Sequence, residues 1–139
     1  MKRIRFFSAI ITDGKIAMVY NMAPDRIFWT LPGGGVENNE TFEETAVREA
    51  FEEVNLRIKV IRFLFKQEFS SGIEYCYLAE PEKPENISTG YDPELDIDKQ
   101  TIKKAEWKDI IEVKDDVQIR IVLKKLTADE KLKYKIITL

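Results

Sequence analysis

Glu49, Glu52 and Glu53 stand three and four positions apart in a stretch that reads as helix. Successive helical residues turn by about 100°, so these carboxylates share one face. Clustered carboxylates repel and raise one another's pKa unless something cationic sits among them. Arg48 offsets part of this by pairing with Glu52, one turn on. A hard divalent ion is the fuller answer, because Mg²⁺ takes oxygen ligands and keeps several waters. Glu40, at the junction of loop and helix, is placed to complete or orient such a site. The chain has no histidine. That absence removes Ser-His-Asp and Cys-His catalysis and His-bearing zinc sites together. The chemistry left uses carboxylates, lysine, tyrosine or a metal held by oxygen. Cys76 is the sole cysteine, so no intramolecular disulfide forms. In the apolar run Tyr75-Cys76-Tyr77-Leu78 it reads as a small buried hydrophobe.

The loop ahead of these acids has its own logic. Leu31-Pro32-Gly33-Gly34-Gly35 leaves backbone amides and carbonyls uncovered by side chains. Such a turn approaches a metal or a phosphate closely, and a helix start nearby adds a favourable field for an anion.

The elements that must position these groups can be read from the same pattern. Residues 4–11 and 16–20 are rich in β-branched and aromatic side chains around the turn Thr12-Asp13-Gly14-Lys15, which predicts a β-hairpin. Phe28-Trp29-Thr30-Leu31 reads as a short strand stopped by Pro32 and the glycines. Thr41 and Glu44 have capping-box spacing, and Phe42 to Val54 supplies the helix body. Ala46, Val47, Ala50, Phe51 and Val54 form the arc expected to pack on a sheet. Residues 57–69 and 73–79 read as paired strands across Ser70-Ser71-Gly72. Residues 80–99 are acidic and carry prolines, which predicts a long loop. Thr101 to Trp107 reads as a strand and Asp115 to Leu126 as an amphipathic helix. The tail from Lys131 to Leu139 is compatible with an extra strand at residues 134–137. Strands broken by one helix and closed by another give an α+β architecture, an α/β/α sandwich around a mixed sheet.

The acids and the glycine loop together carry a family resemblance. Gly34, Glu40, Arg48, Glu49, Ala50, Glu52, Glu53 and Leu56 stand in register with the Nudix box. Glu37 and the lead-in Trp29-Thr30-Leu31-Pro32-Gly33-Gly34 also resemble the family. One position departs: Asn55 stands where glycine is usual. It follows the helix, where a left-handed residue is common and asparagine is the next-best choice, so the turn and the activity are expected to survive. The resemblance implies one Nudix domain over residues 1–139, with the sandwich fold. It implies Mg²⁺, or Mn²⁺, bound by Glu49, Glu52 and Glu53 with help from a backbone carbonyl near Gly34. Arg48 would orient the glutamates, and Glu40, Glu37 and Gly33 would support the loop. The implied activity is hydrolysis of a phosphoanhydride in a nucleoside diphosphate linked to another moiety, with nucleoside triphosphates, damaged ones included, among the options. The general base is left open between a box glutamate and a later acid, for which Glu94 is the candidate; an exposed loop charge is its simpler reading. The competing class is a Nudix-fold sensor that binds nucleotides without turnover. Such proteins lose box glutamates, and here all are present.

Weaker features fill in the picture. Phe6, Phe28 and Trp29 are aromatic residues able to stack on a nucleobase, although sheet packing explains each singly. Tyr75 and Tyr77 lie where dinucleoside-polyphosphate hydrolases of this family place a tyrosine, and one at least is expected in the core. Trp107 reads as packing, and Lys124 and Lys125 as a solvated face. With 139 residues, 44% of them hydrophobic and 34% charged, the composition is that of a folded globular chain. A net charge of −3 gives no reason to expect nucleic-acid binding. No stretch approaches a membrane span, and a cytoplasmic monomer or homodimer acting on a small nucleotide is the default expectation.

Overall fold

A computed structural model describes residues 3–23, 26–37, 39–70, 72–83 and 102–137. Strands β1 (Arg3–Thr12), β2 (Lys15–Ala23), β3 (Arg26–Thr30) and the two-residue β4 (Gly33–Gly34) precede helix α1 (Phe42–Val54). After it come β5 (Ile58–Phe69), β6 (Gly72–Pro81), β7 (Ile102–Asp109), α2 (Val117–Lys125) and α3 (Ala128–Lys133). The sheet runs β3-β2-β1-β6-β5, with β4 added on β1 and β7 on β2. Pairing of β1 with β6 is parallel and the other pairings are antiparallel, so the sheet is mixed.

Alternation along β1 sets up both faces. Phe6 packs with Ala46 of α1 and with Tyr77, and Ile10 packs with Ala50 and Val54. Phe7, Ala9 and Ile11 point the other way, into a cluster with Ile119 and Val122 of α2. Period-two strands between two amphipathic helices give the expected α/β/α sandwich.

Helix α1 begins at the predicted residue because Thr41 accepts from the Glu44 amide while Glu44 accepts from the Thr41 amide. It ends at Asn55, whose φ of 59° and ψ of 34° lie in the left-handed region. That conformation costs an ordinary L-residue about 1–2 kcal/mol. Asn55→Ala is therefore expected to lower unfolding free energy by about 1 kcal/mol, while Asn55→Gly stays within about 0.5 kcal/mol of the parent. Chemical denaturation of the three proteins checks this; an alanine variant as stable as the glycine one would contradict it.

Several elements differ from expectation. The hairpin pairs only at its turn, through Ile11–Ile16 and Thr12–Lys15; beyond that β1 joins β6 while β2 joins β3 and β7. The glycines after β3 form β4, held by Phe6–Gly34 and Phe7–Gly33 pairing. Val47 and Phe51 are exposed rather than packed on the sheet, because the stripe of Ala46, Ala50 and Val54 already fills the contact. No strand forms at residues 134–137, which are turn and coil after helix α3 ends at Lys133. Thr127 and Glu130 close a second capping box over α3, and Arg62 grips Glu130 at 2.7 and 2.8 Å. Tyr134 and Ile136 then fold back into the core. Residues 84–101, including Glu94, lie outside the described residues.

Candidate active site

Because β1 and β2 diverge after their turn, a cleft of about 790 Å³ opens between them. Its walls include Arg5 and Phe7 of β1, Asn21 of β2, Phe28 and Trp29 of β3 and Gln118 of α2. Gly33 and Glu53 stand at one edge of it. Of the predicted acids, Glu53 therefore meets a cavity suited to a small ligand.

Arg48 organises the acids on the outer side. Its Nε donates to Glu40 Oε2 at 2.7 Å and its Nη2 to Glu40 Oε1 at 3.0 Å, a two-pronged pair. Nη1 donates to Glu49 Oε1 at 2.8 Å and to Glu52 Oε2 at 3.1 Å. Nη2 also reaches the Gly35 carbonyl at 2.8 Å, and Glu37 lies 3.7 Å from Nη1. Only the Glu52 contact was foreseen from spacing. Glu40 closes the loop as well, accepting from the Glu37 amide and the Thr45 hydroxyl. These donors hold its carboxyl below the usual range, Arg48 foremost, and Arg48 is correspondingly hard to deprotonate.

Glu53 differs from the others. It is turned inward, where its Oε2 accepts from the Gly33 amide at 2.9 Å. Burial, and then the charge of Glu49, push its carboxyl well above the ordinary value. Glu49 is near enough for its charge to add to that rise, an arrangement that a proton or a cation between the two carboxyls would relieve. Glu49 also lies against the glycine loop: a Cβ added at Gly34 would stand 2.5 Å from its Oε1.

The oxygen-only donor set of Glu49 and Glu53 beside the glycine loop fits a hard divalent cation. The three-carboxylate cluster itself is not assembled. Among the described residues no group of three acidic or thiol side chains converges on one point. Like charges repel, and Arg48 and the Gly33 amide each draw a carboxylate to their own side.

Two glycines in this loop predict different outcomes. A Cβ at Gly33 would strike the backbone carbonyl of Phe6 and come within 2.5 Å of the Phe7 ring. Gly33→Ala should therefore lower stability by about 1–3 kcal/mol, as overpacking does. At Gly34 the obstacle is the far end of a glutamate, which swings away cheaply. Gly34→Ala should leave the melting temperature almost unchanged while cutting turnover about tenfold or more through a displaced carboxylate. Equal melting losses in the two variants would contradict this contrast.

The remaining predicted residues divide by face. Phe28 and Trp29 both line the cleft, and Lys108 lies over the Trp29 ring at 4.0 Å. Tyr75 does not reach it. Strand alternation turns Tyr75 to the opposite face, stacked on Phe6 and near Phe42 and Phe63, so the structure does not bring it together with Phe28 and Trp29 in this cleft. Phe6 is likewise buried sheet packing. Cys76 is buried with its thiol pushed up by desolvation, and Trp107 packs on the α1-side core. Arg5, Asn21, Glu74 and Gln118 were not singled out from sequence, because polar residues scattered over four elements leave no spacing signal.

A family model described as NUDIX domain matches residues 2–129. The chain belongs to the Nudix family. Nudix hydrolases act on nucleoside diphosphates linked to other moieties and generally need a divalent cation, so this chain is a hydrolase of phosphorus-containing anhydrides. Solved Nudix structures share the fold. A hydrolase of the family from Clostridium perfringens is 18% identical with a TM-score of 0.67, the match covering 90% of this chain and 94% of that one. A Nudix hydrolase from Nitrosomonas europaea is 22% identical at a TM-score of 0.64, but this chain spans only 57% of its length, with 77% of this chain covered. An Ap4A hydrolase from C. elegans gives 16% identity and a TM-score of 0.65, over 86% of this chain and 93% of that one. Among the described residues no helix is long and apolar enough to cross a membrane.

Proposed function

We propose that this chain hydrolyses the phosphoanhydride of a nucleotide or related nucleoside diphosphate derivative, with Mg²⁺ or Mn²⁺ as cofactor. Nucleoside triphosphates, damaged ones included, fall within this range. The observation that carries the reading is that Glu53, on the Gly33 amide, and Glu49, against Gly34, both meet the glycine loop where it borders the cleft. Glu49, Glu52 and Glu53 would hold the ion, joined by backbone oxygen near Gly34. When bound, it would offset charge developing on phosphate oxygens and lower the pKa of an attacking water.

The chain's own residues do the rest. Phe28 and Trp29 offer apolar ring surface to a base. Arg48 and Glu40 tie the loop to α1, which fixes Gly34 beside Glu49. Glu53 is held by the Gly33 amide in a poorly solvated position, where its affinity for protons is high. The ligands and the cleft walls all come from one domain in this reading.

The test is a nucleotide panel with Mg²⁺, read as released phosphate or pyrophosphate. Turnover that is abolished by EDTA and restored by Mg²⁺ or Mn²⁺ is expected. Binding without turnover of any nucleoside diphosphate derivative would overturn the enzymatic reading in favour of a sensor.

A further inference from the structure

A polyphosphate entering this cleft meets an acidic wall, for Glu53, Glu74 and Asp116 all line it. Arg3 and Arg5 are its basic lining residues among the described ones. Arg3 is exposed on β1 whereas Arg5 is half-buried. Parallel pairing of β1 with β6 sets Arg5 directly opposite Glu74. Both project to the cleft side, since the intervening Phe6 and Tyr75 occupy the other face.

Register would let Arg5 and Glu74 neutralise each other, yet among the described residues no ion pair joins them. Glu74 is instead hydrogen-bonded by Gln118 Nε2 at 3.4 Å. Gln118 cannot turn freely, because its Oε1 accepts from the Leu31 amide at 3.0 Å. The Arg5 guanidinium lies 5.9 Å from the centroid of the Phe7 ring, and its buried Nε has no hydrogen-bond partner. An unmet buried donor costs about 1–3 kcal/mol. A guanidinium left in this state beside an acidic wall is incomplete without an anion.

We propose that Arg5 binds the phosphate oxygens of the substrate, held for that role by the Phe7 ring and by Gln118 keeping Glu74 engaged. This rests on the hydrolase reading above and names the residue that receives the substrate's charge. The planar fork matches two phosphate oxygens at once, a geometry that lysine cannot reproduce. Arg5, Glu53 and Glu74 line the same cleft, so a phosphate held by Arg5 would share that cleft with the box glutamate Glu53.

Arg5→Gln and Arg5→Lys test the assignment in two ways. On a nucleotide that the parent hydrolyses, Arg5→Gln should raise KM about tenfold or more, a loss of ~1.4 kcal/mol in binding, with kcat within about threefold. Arg5→Lys should recover only part of that loss. Independently of turnover, tryptophan fluorescence follows binding of the common ribonucleoside diphosphates and their nucleosides in EDTA, where protein cations alone hold the phosphates. The parent should bind at least one diphosphate about tenfold more tightly than its nucleoside, and Arg5→Gln should bind the two alike. An unchanged preference in Arg5→Gln, or none in the parent, overturns the assignment. A parent that turns over no nucleotide but shows the Arg5-dependent preference would refute the hydrolase reading and leave this one standing.

Discussion

Glu53→Gln is expected to reduce turnover at least about 100-fold while leaving the unfolding midpoint unchanged or slightly raised. The two halves of this result have one cause. Glu53 is a carboxyl in a poorly solvated position next to another carboxyl, Glu49. Keeping its charge there is unfavourable to the folded state, and a neutral amide removes that burden. The glutamine Oε1 can still accept from the Gly33 amide, now 2.9 Å from Glu53 Oε2, and its Nε2 can donate to Glu49. The fold therefore loses little. Function loses more, because an amide is a poor ligand for a hard cation and a poor proton acceptor. Initial rates at saturating Mg²⁺, alongside urea unfolding, measure both. A variant with the parental rate would remove Glu53 from the site.

Arg48→Ala should behave in the opposite way, losing stability and activity together. The guanidinium is the shared donor for Glu40, Glu49, Glu52 and the Gly35 carbonyl. Its side chain is only 21% exposed, and those of Glu40 and Glu49 are 15% and 13% exposed. Removing one partner leaves several carboxylates crowded in a partly dry site. Breaking a buried pair costs about 3–5 kcal/mol, and residual solvent access reduces this to about 2–4 kcal/mol here. Arg48→Lys keeps the charge but not the fork, so it should recover less than half of the loss. The measurement is the shift in denaturant midpoint at constant m-value. A loss below about 0.5 kcal/mol for the alanine variant would show that the network is only a surface feature.

These two residues illustrate what spacing conveys. On a helix, intervals of three and four residues place Arg48 with Glu52, and Glu49 with Glu52 and Glu53, without any tertiary information. The same local rules placed the start of α1 at Thr41 and its stop at Asn55. They could not rank the acids. Which carboxyl is buried depends on how far α1 rolls on the sheet, and the small side chains of Ala46, Ala50 and Val54 set that roll. Val47 and Phe51 were misplaced for that reason.

Arg48 meeting Glu40 likewise required the loop to fold back over the first turn of the helix. Tyr75 shows a different limit. Strand alternation says that it and Cys76 face opposite ways, but not which side holds the cleft. That side was fixed when β1 paired with β6 through the parallel register.

The carboxylate helix, its caps, the glycine loop and the family were thus determined by the sequence itself, because each rests on contacts within a few residues along the chain. The cleft was decided by tertiary structure alone. It exists because β1 and β2 part after two paired positions, and its lining comes from strands β1 to β6 and from both α1 and α2. Arg5, Glu74 and Gln118 are 69 and 44 positions apart in sequence order, as the numbering 5, 74 and 118 gives, and no local periodicity links them. Long-range strand pairing brings them together, and that is where binding of the substrate's charge is now sought.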